Sequence, residues 1–367
     1  MNSRFVRSLI ALSASLLTLG PAAALPADEL NTLSQRELDD GWILLFDGQT
    51  LFGWSASSQA DWSVEDGAIR VAEGKPGLLP TTSQWGDFVL KLQFRAAPGT
   101  NSGVFLRTPP RLSGGTTRFY ELNIADRGTS DYPTGSIVHR AKGIAVEDGP
   151  DWQSMEVTAV GGRFTLKIDG RRTLDYTDRR PLGRGYIGLQ FHRGAVAFRD
   201  IKLKPLGLKP IFNGEDLDGW RVIQPFRDGK PAEIQAAVTD RGALRITNGP
   251  GSLETEGQWE DLVMQLQIFS AGEQLNSGVF FRTLPGHDWA GYESQIHNGY
   301  ADGDRSRPTN CGTGGIWNRQ DARLIVADDH QWFHKTIHAV DKHIAVWVNG
   351  IQVSDVTDRR QPADNAR

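Results

Sequence analysis

Asn101-Ser102-Gly103-Val104-Phe105-Leu106-Arg107, followed after a short loop by Tyr120-Glu121-Leu122-Asn123-Ile124, occurs a second time as Asn276-Ser277-Gly278-Val279-Phe280-Phe281-Arg282 followed by Tyr292-Glu293-Ser294-Gln295-Ile296. Val and Phe after a Gly favour a pleated, half-buried strand. The period-two alternation in Tyr-Glu-x-Asn/Gln-Ile sends the Glu and the amide two residues on to one face of a sheet. Each copy therefore predicts a strand that carries an Arg out of its end, next to a strand that presents a Glu. Chemistry is expected on that polar face.

Working outward, further landmarks repeat. Leu45-Phe46-Asp47-Gly48 and Ile211-Phe212-Asn213-Gly214 each lead to a Gly-Trp, at Trp54 and Trp220, 166 residues apart. Trp152 and Trp332 are 180 apart, as are Asp169-Gly170 and Asn349-Gly350, and Thr177-Asp178-Arg179-Arg180 returns as Thr357-Asp358-Arg359-Arg360. The growing offset means that the second copy carries insertions, which belong in loops. A period this long is a duplicated domain and not a solenoid unit, since each copy is large enough to bury a core.

Within a copy the signals are for strands. Phe88 to Arg95 and Leu262 to Phe269 alternate apolar with polar residues. Ser154 to Ile168 reads as a hairpin turning at Gly161-Gly162, and Trp332 to Val348 matches it with a turn at Asp341-Lys342. No stretch sustains a helical period, and 41 Gly and 18 Pro supply turns. The expectation is an all-β chain of two tandem antiparallel β-sandwiches of jelly-roll type, residues 41–206 and 210–367, with Phe105, Phe280, Val157 and Ile337 inside. Pro205 to Pro210 is the linker, short enough that the sandwiches should touch. The first copy closes with Gly185 to His192 and Val196 to Leu203. The second has no counterpart before Arg367, so it is expected to be C-terminally incomplete, with two open edges.

Arg4 and Arg7 precede an apolar run, Leu9 to Leu19, and then the small residues Ala22-Ala23-Ala24. That order is a secretory signal peptide, residues 1–24, with the mature chain secreted or periplasmic and without a transmembrane segment. Cys311 is the only cysteine, so no intrachain disulfide is available. A net charge of −4 with scattered Arg and Asp offers no basic stripe, which excludes nucleic acid as a partner. No cofactor is called for, and Asp302 and Asp304 match a calcium loop too weakly to assign a metal.

Phe-Asp-Gly-x-x-Leu-x-Gly-Trp at Phe46 to Trp54, Trp62-Ser63-Val64-Glu65-Asp66-Gly67, the Asn-Ser-Gly-Val-Phe and Tyr-Glu-x-Asn/Gln-Ile repeats, Gly188-Leu189-Gln190-Phe191-His192 and Phe198-Arg199-Asp200-Ile201 together resemble the 3-keto-disaccharide hydrolase domain family. The resemblance implies a concanavalin A-like lectin and glucanase jelly roll, and an exported enzyme acting on glycosides oxidised to a ketone at C3. Such a ketone acidifies the hydrogen on C2. One base then suffices to start elimination of the C1 leaving group, with water adding back. A retaining glycosidase would instead need two carboxylates about 5 Å apart, and neither copy offers the pair on one strand.

Glu121 and Glu293 are the expected bases, with exposed strand carboxylates as the bland alternative. Arg107 and Arg282 are expected either to polarise the ketone or to pair with those same Glu residues. His192, at the family's closing pattern, is an acid or base candidate, and His297 follows Gln295 on the same face. Asn101, Asn123, Gln190, Asn276, Gln295 and His297 are the substrate-binding candidates, against a turn-stabilising role for the two Asn before Ser-Gly. The first copy, around Arg107, Glu121 and His192, is expected to be the active one. A tandem carbohydrate-binding module without turnover is the alternative for the whole chain.

Overall fold

The computed structural model describes residues 30–111, 116–126, 128–146, 149, 151–227, 229–287 and 290–360. The expected leader lies outside them. The regular secondary structure of the described chain is nearly all antiparallel strand, joined by long loops. Its one α-helix, Gln35–Asp39, is held by a capping box between Ser34 and Glu37.

In the first copy, strands run in the order Arg171–Thr177, Arg163–Ile168, Gln153–Val160, Phe88–Ala96, Val196–Pro205, Ala68–Val71 and Ser63–Glu65, with Ile43–Leu44 also paired to Val196–Pro205. Facing this sheet is a second one, ordered Gly77–Trp85, Gly185–Arg193, Asn101–Thr108 and Tyr120–Ala125. Alternation decides what each strand buries. Phe88, Leu90, Leu92 and Phe94 point into the space between the sheets, where they meet Val104, Leu106, Tyr120, Leu122 and Leu189 from the other side.

The second copy repeats this plan with fewer pairings. Leu262–Phe269, Trp332–Val340, His343–Val348 and Ile351–Thr357 form one sheet, and Ser277–Phe281 pairs with Tyr292–Ile296. In the first copy Phe88–Ala96 and Asn101–Thr108 are each flanked on both sides. Among the described residues, Leu262–Phe269 and Ser277–Phe281 each have one neighbour. Burial follows the pairing: Leu262, Met264 and Ile268 are half-buried where Phe88, Leu90 and Phe94 are fully buried. Val157 and Ile337 are 0% exposed in the core, as expected. Register, however, sets Phe105 opposite Glu121 and Phe280 opposite Glu293, so both aromatics lie on the face away from the core, Phe105 1% exposed against Phe119 and Phe280 half-buried, which corrects the expectation that they point inside.

The cores are not separate, which departs from the expectation that each copy packs by itself. Ala345 and Trp347 of the second copy belong to the first copy's apolar cluster. The Trp347 indole donates to Leu44 O at 2.8 Å, and its ring lies 5.8 Å from that of Trp85. The second copy's four-stranded sheet is therefore covered on both faces. His343–Val348, His-Ile-Ala-Val-Trp-Val, is buried at every position after the first, while its counterpart Arg163–Ile168, Arg-Phe-Thr-Leu-Lys-Ile, alternates.

Candidate functional site

The site is built on three adjacent strands of the first copy's smaller sheet. Register places Gln190, Gly103 and Asn123 opposite one another, and Gly188, Phe105 and Glu121 in the next row on the same face. The side chains of Leu122 and Ile124 point the other way, into the core. Glu121 is thus held on the outer face by its own neighbours' burial. Gly103 leaves the room for this arrangement: a Cβ there would stand 3.0 Å from Leu122 O, 3.2 Å from Glu121 Cγ and 3.4 Å from Gln190 Oε1. Burial pushes the Glu121 carboxyl up to about 7, with the Gln190 side-chain amide across Gly103 favouring the charged form in partial opposition. Gln190 Oε1 is itself buried without a hydrogen-bond partner. A carboxyl that exchanges its proton near neutrality, beside an amide with a spare acceptor, can perform general base chemistry on a polar substrate.

Asn101 is half-buried and shares this face, two residues before Gly103. His192 is exposed where the pairing shifts register between Phe191 and Arg193, on the rim beyond Gln190. Asn123 is buried, and its Nδ2 donates to Ser130 Oγ at 3.4 Å and to Tyr132 O, which fixes the loop beside the Glu strand.

The two arginines are placed elsewhere. Arg107 adopts φ +50°, in the left-handed region, so its side chain leaves the alternation and turns to the end of the sandwich. There its guanidinium donates to Gly86 O at 3.1 Å, Gly161 O at 2.6 Å, Leu182 O at 2.7 Å and Asp87 Oδ1 at 3.0 Å. Arg282, at φ +52°, donates to Glu260 O, to Asp341 O and, at 3.1 Å, to Asp261 Oδ1. The expected Glu–Arg pairs are therefore corrected: each Arg pairs with an Asp at the foot of the preceding strand and ties loops together.

In the second copy Glu293 is also raised by burial, but Lys335 opposes the shift. Gly278 lies against Glu293 as Gly103 lies against Glu121, with a Cβ there 2.3 Å from Glu293 Oε1. Asn276 is exposed. Gln295 is buried and turns its Oε1 back to accept from Ile296 N at 3.0 Å. His297 is only 8% exposed, its Nε2 3.1 Å from Thr309 Oγ1. Nothing in this copy takes the place of Gln190 among the described residues.

A third segment of the site, not singled out by the repeat motifs above, lies in the loop after each Glu strand. Thr134-Gly135-Ser136-Ile137-Val138-His139-Arg140 corresponds to Thr313-Gly314-Gly315-Ile316-Trp317-Asn318-Arg319. Each runs along its Glu strand: Val138 N donates to Glu121 O at 2.9 Å, and Trp317 N to Glu293 O at 3.0 Å. His139 and Asn318 share a left-handed φ, +59° and +58°. The Thr-Asp-Arg-Arg motif holds these segments. Tyr120 Oη donates to Asp178 Oδ2 at 2.9 Å and Arg140 pairs with the same carboxylate at 2.7 Å; Tyr292 and Arg319 meet Asp358 in the same way, at 2.7 and 3.7 Å. The spaced Thr-Gly-x-Ile-x-x-Arg identities were the available signal.

The model of the 3-keto-alpha-glucoside-1,2-lyase-like domain matches residues 41–204 and again 207–367, nearly the whole chain. The chain belongs to that family. A 3-keto-disaccharide hydrolase of Bacteroides thetaiotaomicron is 29% identical over 105 residues, which are 25% of this chain and 36% of that protein, so the chain spans about a third of the curated relative it matches. Among solved structures, a Parabacteroides distasonis protein assigned to the glycosyl hydrolases is 20% identical with a TM-score of 0.42, covering 48% of this chain and 100% of that one. A Bacillus subtilis protein of galectin-like fold is 15% identical with a TM-score of 0.35, covering 48% and 94%. Among the described residues of this chain no helix is long and apolar enough to cross a membrane.

Proposed function

We propose that this family member is an exported enzyme that opens the glycosidic bond of 3-keto-glycosides, with residues 41–206 as the catalytic unit and residues 210–367 as a diverged partner. The observation that carries the reading is the Glu121 carboxyl, raised to about 7 on an outer sheet face beside the unpartnered Gln190 carbonyl. Glu121 takes the proton from C2 of the keto-sugar, and the C–H electron pair forms an enolate with the C3 oxygen. Collapse of the enolate rebuilds the C3 ketone, forms the C1–C2 double bond and expels the C1 oxygen, which leaves protonated. Water then adds across C1 and C2, so the sum is hydrolysis. The amides of Asn101 and Gln190 are the donors nearest to that oxyanion in register, and His192 on the rim is the acid candidate for the leaving group. Neither Arg107 nor Arg282 takes part, because both are committed to backbone carbonyls and aspartates.

The test is release of reducing sugar from 3-keto-trehalose and 3-keto-lactose, beside their unoxidised parents. Glu121→Gln keeps shape and removes the proton acceptor, so turnover is expected to fall by roughly 10²- to 10⁴-fold. Full turnover by Glu121→Gln, with loss in Glu293→Gln, would move the active site to the second copy. Equal turnover of the unoxidised sugars would discard the keto chemistry.

A further inference from the structure

Two substitutions between the copies surround Glu293. Register sets Ser294 opposite Ile316, and the bond from Trp317 N to Glu293 O makes Trp317 the cross-strand neighbour of Glu293 on the outer face. The same position beside Glu121 holds Val138, which is half-buried, whereas Trp317 is 42% exposed. Behind the sheet, the first copy's core residues Met155 and Leu122 correspond to Lys335 and Ser294. Lys335 is 1% exposed, and its Nζ lies 2.7 Å from Gln295 O, 3.2 Å from Ser294 O and 3.3 Å from Ser294 Oγ. Three acceptors around one Nζ suit the three N–H donors of an ammonium.

We propose that the second copy is a separate saccharide-binding site, in which Trp317 is the platform for the apolar face of a neutral sugar ring and the Glu293 carboxyl beside it, with Lys335 behind, hydrogen-bonds the ring hydroxyls. It rests on the carbohydrate reading of the first copy but not on Glu121 being its base. An exposed indole offers a flat, electron-rich face to sugar C–H groups, and a carboxylate next to it accepts hydrogen bonds from two hydroxyls at once. Neutral sugars carry no charge to pair with Glu293, so its ionisation must come from the protein. Lys335 in the opposed sheet supplies the positive charge; Cys311, with Asp321 beside it, is the other titratable group near that ammonium. Burial pulls Lys335 down to about 7, and its positive charge opposes the upward shift that burial gives Glu293. The first copy, with Met155 and Val138 in these places, lacks both devices.

The experiment titrates lactose and trehalose, as probes, into the full chain carrying Glu121→Gln and follows heat of binding. Binding by one of them is expected, weakened by about tenfold or more in Trp317→Ala and in Glu293→Gln, and largely retained in Trp317→Phe. Lys335→Met with Ser294→Leu, which restores the first copy's core residues, should raise the pH below which binding is lost, because Glu293 then protonates more readily. The proposal is overturned if neither disaccharide binds, if binding survives in Trp317→Ala, or if the double variant leaves the pH profile where it was. Turnover of Glu121→Gln reports on the first copy and this titration on the second, so either reading can fail alone.

Discussion

At the scale of single residues, two Glu residues in equivalent strands carry different neighbours, and the neighbours set the proton. Glu121 has Gln190 beside it and an apolar core behind; Glu293 has Trp317 beside it and Lys335 behind. For Glu121 acting as a base, kcat/KM is expected to fall as pH drops through about 7, since the carboxylate must be ionised to accept the C2 proton. A profile flat from pH 5 to 8 would remove Glu121 from that role. The same raised value has a stability consequence. The folded state holds the proton more tightly than the unfolded chain, so stability is lost as pH rises from 4.5 to about 7, the full cost stands above that window, and below 4.5 it vanishes. Glu121→Gln is therefore expected to melt higher than the parent at pH 8, by about 1–3 kcal/mol, with the gain disappearing at pH 4. Gly103→Ala should damage turnover more than melting, because its Cβ presses on Glu121 Cγ and Gln190 Oε1 on an outer face and not on the core. Strand alternation made the Glu and amide positions legible. The approach of Gln190 was not, because it depends on a strand 69 residues further along pairing beside Asn101–Thr108.

At the scale of elements, the strand ends explain what the motifs are for. Alternation extrapolated through Arg107 puts its side chain next to Glu121, and the left-handed φ at that residue breaks the extrapolation; a backbone turn of this kind leaves no mark in a hydrophobic pattern. Gly185 confirms how tightly the turn is packed, since a Cβ there would meet Arg107 C at 2.5 Å. The guanidinium then gathers Gly86, Gly161 and Leu182 from three loops onto Asp87, which also accepts from Gly161 N at 2.9 Å. Arg107→Met removes these bonds and leaves buried carbonyls unpaired, so unfolding in urea should reveal a loss of about 2–4 kcal/mol. Turnover per folded molecule should stay within a few-fold of the parent. A loss of several orders of magnitude in kcat with unchanged stability would return Arg107 to the chemistry. Thr-Asp-Arg-Arg was legible as a repeat but not as a lock, because its Asp acts on a Tyr nearly sixty residues earlier, Tyr120 in one copy and Tyr292, 66 residues before Asp358, in the other.

At the scale of the whole molecule, the duplication and the all-β architecture were legible, because every landmark recurs in order. The shared core was not: a strand such as His343–Val348, apolar at almost every position, reads the same whether one or two layers cover it. The join is His338, Trp347 and Trp85 against the strand that neighbours Gly185–Arg193. The His338 ring lies 4.8 Å from that of Trp85, and its Nε2 is 2.7 Å from Gln84 O, where it donates. Around it stand His343, 6.2 Å away and bound to Asp355, and Arg184, which pairs with Asp261 and Asp341 across the join. Burial first, and then His343 and Arg184, lower His338 to about 4 from an ordinary value near 6.5. Between those values the unfolded chain binds a proton that the folded chain refuses, so stability is lost as pH falls from about 6.5 to about 4 and is unaffected by this group above that window. The full loss amounts to about 3 kcal/mol for this one residue. His338→Gln, which cannot titrate, is expected to flatten the dependence of melting temperature on pH across that window, and both copies should still unfold in one transition because Trp347 joins their cores. Two separate transitions at neutral pH in the parent, or an unchanged pH slope in His338→Gln, would show that the join does not couple the copies in this way.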